Sequence, residues 1–421
     1  MIQTISIAPG ITLRCFPDRR FKQGCLSVQF VRPMCREEAA MNALLPTVLL
    51  RGSASHPDMR AITLRLDELY GASVGTLVRR VGDYQTTGLY CGFIEDRFAM
   101  SGDEIFAPMV DFLRELLFSP VLQDGCFRSQ FVESEKKNLI STIESELNDK
   151  RVYTNNQMLR RMCSADSFGI PRLGDKESVQ AITPKKLYEH YLRVLKESRV
   201  DLFYVGSAPT ETVIQALKPI FDGLRREEMT LAPQTPFRDG GESDTVEQMD
   251  VSQGKLAMGF ATSVTTRDAD FVPMQLFNVI FGGGMTSKLF MNVREKMSLA
   301  YSIGSAYHGS KGIVTVSAGI DSHQVDTVRR EVLHQLNQCQ TGCISAEELI
   351  CAKEALASGL RAVHDSPGSI ENFYATAALS GLKLTPQAYM AAIENTTLEQ
   401  VVAAANTVRL HTVYFLKGVC A

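Results

Sequence analysis

Arg294 and Tyr301 stand seven residues apart in the stretch 281–301, FGGGMTSKLFMNVREKMSLAY. A guanidinium and a phenol together could grip one peptide carbonyl or carboxylate from two points. The stretch runs from Gly282, Gly283 and Gly284 into a helix predicted over 286–298, with Phe290, Val293 and Met297 on one buried face. If that helix persists to its end, the two residues return to nearly the same face, about 10 Å apart along the axis. The competing reading is a surface ion pair between Arg294 and Glu295, with Tyr301 filling core. The glycines lack the G-K-[ST] of a phosphate loop and read as a turn that needs positive φ or close backbone approach.

The same stretch resembles the second half of the M16 (pitrilysin, inverzincin) metallopeptidases and of the mitochondrial processing peptidase subunits. There a Gly-rich turn leads to RLF..VREK.GLAY, and the resemblance implies that Arg294 and Tyr301 are the family's substrate-binding R/Y pair. Ser298 departs from that pattern, which commonly has Gly. The resemblance also implies an H-x-x-E-H helix in the first half, where two His would bind Zn²⁺ and the Glu would serve as general base. The tripeptide Arg51-Gly52-Ser53 matches the one that follows this motif. Counting back from it, the motif positions hold Ala43, Leu44, Leu45, Pro46 and Thr47. The third ligand, a Glu on a later helix, falls on Thr142, with Glu144 and Glu146 close by. An alkyl group, an imide ring and a hydroxyl cannot build a Zn²⁺ site, so this chain is expected to bind no metal or other cofactor.

Nothing else in the chain replaces that chemistry. None of the seven His falls at H-x-H, H-x-x-x-H or H-x-x-E-H spacing. Cys339, Cys343 and Cys351 cluster without a second ligand pair at finger-like spacing. No G-x-S-x-G elbow appears. With 421 residues, 45% hydrophobic, 22% charged and net charge −3, the chain reads as a globular protein of two or more domains. That charge balance gives no electrostatic case for nucleic acid or an anionic membrane. No basic or long apolar leader opens the sequence, and no apolar run reaches the length of a membrane span. Ten Cys without framework spacing suggest reduced thiols and a cytoplasmic setting.

The chain echoes itself at about half its length. A helix opening at Thr183-Pro184 leads to strand 200–206, and one opening at Thr397 leads to strand 412–418. The long helical stretches 125–150 and 344–364 form a second echo. Residues 225–250 are polar and rich in Pro and Gly, a linker signature. The expected fold is α+β, with two related halves, 1–224 and 251–421, each a mostly antiparallel sheet packed with helices. The resemblance implies that the halves face each other as a clamshell.

For function, the resemblance implies a non-catalytic subunit of a heterodimeric zinc peptidase. An H-x-x-E-H-bearing homologue would hold the Zn²⁺, and this chain would supply Arg294 and Tyr301 to a peptide substrate. The alternative is an inert scaffold or peptide-binding protein, homodimeric when isolated. The blocks Asn42–Ser53 and Leu69–Ala72 further resemble a bacterial subfamily associated with elongation factor P modification.

Overall fold

The computed structural model describes residues 2–146, 148–222, 224, 226–227, 230–238 and 241–418. Residues 225, 228, 229, 239 and 240 of the expected linker lie outside the described residues, as do 1, 147 and 223 of the first half and 419–421 of the second.

The strands form where apolar and β-branched residues alternate or run together. In the first sheet the order is Gln3–Ala8, Ile11–Pro17, Arg199–Gly206, Gln23–Pro33, Tyr84–Ile94, Ser73–Val81. Gln23–Pro33 is buried along nearly its whole length, as a central strand covered on both faces should be. Ser73–Val81, at the edge, is mostly half-exposed. The second sheet runs Ser243–Met249, Arg409–Gly418, Gly254–Ala261, Ile313–Ile320, Ser302–His308. Apart from the extra strand Gln3–Ala8, the two orders correspond strand for strand. Each has one parallel pair, Ile11–Pro17 with Arg199–Gly206 and Ser243–Met249 with Arg409–Gly418. The remaining pairings of both are antiparallel. The fold is therefore α+β and duplicated. The helix-to-strand echo is real: Thr183 and Thr397 each cap a helix through a side-chain oxygen before the matching strand. The long helices Ser129–Ser145 and Ala346–Ala362 carry the second echo.

Packing divides the chain into compact units that are not the contiguous halves read from the sequence. One comprises Met1–Glu144, Arg172–Pro233 and His364–Thr376, the other Ser145–Pro171, Gln234–Val363 and Ala377–Ala421. The helix Lys150–Met162 shows why. A Cβ on Gly259 would lie 2.6 Å from the sulfurs of both Met158 and Met162, so this helix lies flat on the second sheet. The polar stretch 225–250 is not linker throughout either, because Ser243–Met249 is a strand with alternating burial. A segment of mostly polar residues whose exposure alternates reads as linker in composition and as an edge strand in structure.

In the first unit, Leu26, Val28, Leu89, Cys91, Leu202 and Tyr204 form one sheet face beneath the helices Arg36–Leu49, Phe106–Phe118 and Pro184–Glu197. The opposite face carries Phe16, Cys25 and Val205 against Ile370. Beside them Glu371, fully buried, accepts from Ser27 (2.8 Å), Gln29 (2.6 Å) and the Arg79 guanidinium (2.9 Å). No helix among the described residues is long and apolar enough to cross a membrane.

A buried carboxylate is tolerated only while its partners stay in place. Glu371→Ala should therefore cost about 3 kcal/mol, because it strands the Arg79 charge and two buried polar side chains. Urea unfolding measures this, and an unchanged midpoint would contradict the account.

Candidate functional site

The second-unit site is built from a helix, a glycine turn and a strand edge. Helix Phe271–Phe281 is buried on nearly every side and stops at Gly282. The amides of Gly282 and Gly283 both bond the Asn278 carbonyl, at 3.0 and 2.9 Å. A Cβ on Gly282 would come within 2.8 Å of the Ser305 amide, and one on Gly283 within 2.8 Å of the Val279 Cα. Gly282 and Gly283 thus serve close approach, not positive φ, whereas a Cβ on Gly284 would meet open space. The Gly282 carbonyl in turn accepts from the Ser305 amide at 2.8 Å, tying the turn to the edge strand Ser302–His308.

Past the turn, Leu289–Lys296 winds as a π-helix, with the Met297 amide on the Asn292 carbonyl at 3.0 Å. The wider turn changes which residues face inward. Leu289 and Val293 are buried, Phe290 is only half-buried and Met297 is exposed, so the predicted Phe290–Val293–Met297 face is corrected. Lys288 anchors the start through Glu348 at 2.8 Å. The helix stops because Ser298 takes φ +51°, in the left-handed region. That is the position where the resembled pattern carries Gly, which enters this region without strain.

The premise of one continuous helix therefore fails. Arg294 lies on the π-helix, and Tyr301 lies beyond the stop, where its amide bonds the Gly319 carbonyl at 2.9 Å and leads into the edge strand. Arg294 is exposed, lies 3.6 Å from Glu295 and stacks over the Phe290 ring at 4.7 Å. Tyr301 is 61% exposed, so it does not fill core. Its hydroxyl donates to Asp321 at 3.2 Å, and that carboxylate pushes the phenol pKa up. No hydrogen bond joins Arg294 to Tyr301, yet both present their polar heads to solvent from one short segment. Phe290 and Asp321 as their supports were not legible in the motif.

Most of the first-unit positions are core. On helix Arg36–Leu49, Ala43, Leu44, Leu45 and Pro46 are buried. Thr47 is half-buried and its hydroxyl turns back onto the Leu44 carbonyl at 2.8 Å. Pro46 has no N–H for the Asn42 carbonyl. The Thr87 hydroxyl fills that vacancy from strand Tyr84–Ile94, at 2.7 Å. The Asn42 side chain donates to Gln85 Oε1 (2.9 Å) and accepts from His190 Nε2 (2.7 Å). His190 Nδ1 then accepts from the Arg193 guanidinium at 3.1 Å, which can only donate, so the imidazole is neutral with its proton on Nε2. Residues 42, 85 and 190 have no sequence spacing that could have announced this network. Thr142 is exposed and bonds the Asn138 carbonyl at 3.0 Å. Glu144 pairs with Lys176 at 2.5 Å, and Glu146 accepts from Asn156 at 2.8 Å. Among the described residues no three His, Cys, Asp or Glu side chains gather as a metal site.

Two outcomes follow for stability. Ser298→Gly should raise it by about 1 kcal/mol by relieving the left-handed strain, read as a higher urea midpoint. An unchanged or lower midpoint would mean that Ser298 is unstrained. Burial pushes the His190 pKa from 6.5 down to about 4. The folded chain thus binds this proton less well than the unfolded chain, so its stability is full above about pH 6.5 and falls as pH drops toward about 4. The loss should reach about 3 kcal/mol, and His190→Gln should flatten that part of the pH profile.

A family model described as the Peptidase M16 inactive domain matches residues 181–356. Over 409 residues the chain is 31% identical to the probable inactive metalloprotease YmfF of Bacillus subtilis, covering 97% of this chain and 96% of that one. A conserved protein from Enterococcus faecalis superposes with TM-score 0.92 at 28% identity, over 100% of this chain and 99% of its own. A peptidase M16 inactive domain from Pseudomonas fluorescens shares the fold at TM-score 0.82 and 19% identity, over 100% and 99%. These relatives span the whole duplicated architecture, and Ala43, Leu44, Leu45 and Pro46, at the expected zinc-motif positions, are packed into core. The chain therefore belongs to the M16 peptidase family, as an inactive peptidase-like protein.

Proposed function

We propose that this chain is the non-catalytic subunit of a heterodimeric M16-type peptidase. It supplies Arg294 and Tyr301 to a peptide held with a zinc-bearing homologue. The observation that carries this reading is the exposure of both side chains, 43% for Arg294 and 61% for Tyr301, on a segment whose turn and helix are otherwise tightly packed. An exposed guanidinium resting on an aromatic ring is held ready without losing its donors. Arg294 would anchor the substrate backbone by charge-assisted hydrogen bonds. Tyr301 would turn its hydroxyl from Asp321 to the scissile carbonyl oxygen as negative charge develops there. A phenol is protonated, and therefore a donor, at neutral pH. The Zn²⁺ and the general base belong to the partner's H-x-x-E-H helix, which supplies the hydrolytic chemistry.

The second reading is a scaffold or peptide-binding protein, homodimeric when isolated. What favours it is that each head already has a local partner, Glu295 for Arg294 and Asp321 for Tyr301. A cytoplasmic setting belongs to either reading. So does a link to elongation factor P modification, which normal modification in a deletion strain would remove.

The experiment is peptide cleavage by the complex with the H-x-x-E-H homologue from the same genome. Arg294→Ala and Tyr301→Phe in this chain should each slow it roughly a hundredfold, the scale of losing one stabilising donor. Cleavage unchanged in both would leave the scaffold reading.

A further inference from the structure

Lys255, Gly319 and Ser302 form one row across three strands of the second-unit sheet, with Lys255 opposite Gly319 and Gly319 opposite Ser302. Directly opposed residues share a sheet face, so a lysine and a serine flank a position that has no side chain. A Cβ on Gly319 would lie 2.9 Å from Gln253 Oε1, 3.1 Å from Ser302 Oγ and 3.2 Å from Lys255 Nζ. Three polar heads thus converge on one recess. Gly319 is not among the positive-φ glycines, so the space, not the backbone conformation, calls for glycine here.

The lysine is unusual in its company. It is half-buried, and its ammonium donates to Gln253, with no carboxylate in ion-pair contact among the described residues. Burial pushes its pKa down, Asp149 pulls it back up, and Arg151 pushes it down again. The recess opens into a groove that also presents Lys150, Arg151, Asp149 and Asp250. Asp149 is committed to the amides of Arg151 and Val152, at 3.0 and 3.1 Å. The cations exceed the carboxylates by one, which matches a monoanion rather than a phosphate dianion.

We propose that this recess is a carboxylate-binding subsite for the peptide, gripped by Lys255 Nζ and Ser302 Oγ, with Gln253 holding the ammonium until the carboxylate displaces it. It rests on the reading of Arg294 and Tyr301 as peptide-binding. Tyr301 directly precedes Ser302, and its amide bonds the carbonyl of Gly319, so the recess is next to Tyr301 along the backbone ladder. The carboxylate is an acidic side chain or a free C-terminus of the peptide. No member of the row was singled out by motif, because the juxtaposition is made by strand register.

The test uses the full chain alone and three fluorescent ten-residue probes of one neutral sequence. The first is C-terminally amidated, the second has a free C-terminus, and the third is amidated with one internal Glu. At least one carboxylate-bearing probe should bind about tenfold tighter than the neutral amide, and which one identifies the carboxylate's source. Lys255→Met should bring that ratio close to one. So should Gly319→Ala, which fills the recess while asking nothing unusual of the backbone. Equal affinities for all three probes, no binding of any, or a ratio that survives both substitutions would overturn the subsite. The assay contains no zinc partner. A preference that depends on Lys255, found together with undiminished cleavage by Arg294→Ala and Tyr301→Phe complexes, would keep the subsite and remove the proposed half-site.

Discussion

The Asn42 carbonyl has no helical partner, because residue 46 is proline and cannot donate. The buried polar layer around helix Arg36–Leu49 follows from how that vacancy is filled. Thr87 reaches in from the neighbouring strand, and the Asn42 side chain binds Gln85 and His190 in the same buried layer. Helix Arg36–Leu49 is thereby bonded to a strand and to helix Pro184–Glu197, with each polar group satisfied and the imidazole held neutral. A metal site needs ligands that project into accessible space with lone pairs free. Here Ala43, Leu44, Leu45 and Pro46 are turned into core, the half-buried Thr47 hydroxyl bonds its own helix, and the nearby lone pairs are spent on one another.

What remains open to solvent lies in the other unit. Two glycines let a buried helix end directly against an edge strand, and the π-helix that follows holds its apolar residues inward while leaving Arg294 on an aromatic ring. The left-handed Ser298 then turns the chain sharply into the strand, so that Tyr301 emerges at the sheet edge. A π-turn and a left-handed serine are both costly conformations, and such costs persist where the surrounding packing over-determines them. In this protein the packing that does so is Leu289 and Val293 below, and the Lys288–Glu348 pair at the start.

Much of this was legible in the sequence. The duplicated α+β architecture followed from two helix-to-strand blocks with Thr caps, and the M16 family from the stretch 281–301. The π-helix was not legible, because one inserted residue per turn leaves composition unchanged and only shifts which residues face inward. The exchange of segments between units was hidden for a similar reason. Met158 and Met162 look like any amphipathic helix until Gly259 shows which sheet they cover. The edge strands Ser73–Val81 and Ser302–His308 were missed because edges are half-solvated and their alternation is weak. The polar network could not be foreseen, since its members are brought together only by the fold.

The proposed function divides the labour between this chain, whose expected zinc-motif positions carry no zinc ligands, and a partner that would hold the metal. Its most direct test is bound zinc and peptide cleavage, measured for this chain alone, for the H-x-x-E-H homologue alone and for the two together. The account requires no stoichiometric zinc and no cleavage in this chain by itself, and zinc-dependent cleavage that appears or rises strongly only in the mixture. Stoichiometric zinc in the isolated chain, or cleavage by the homologue that is indifferent to this chain, would contradict it.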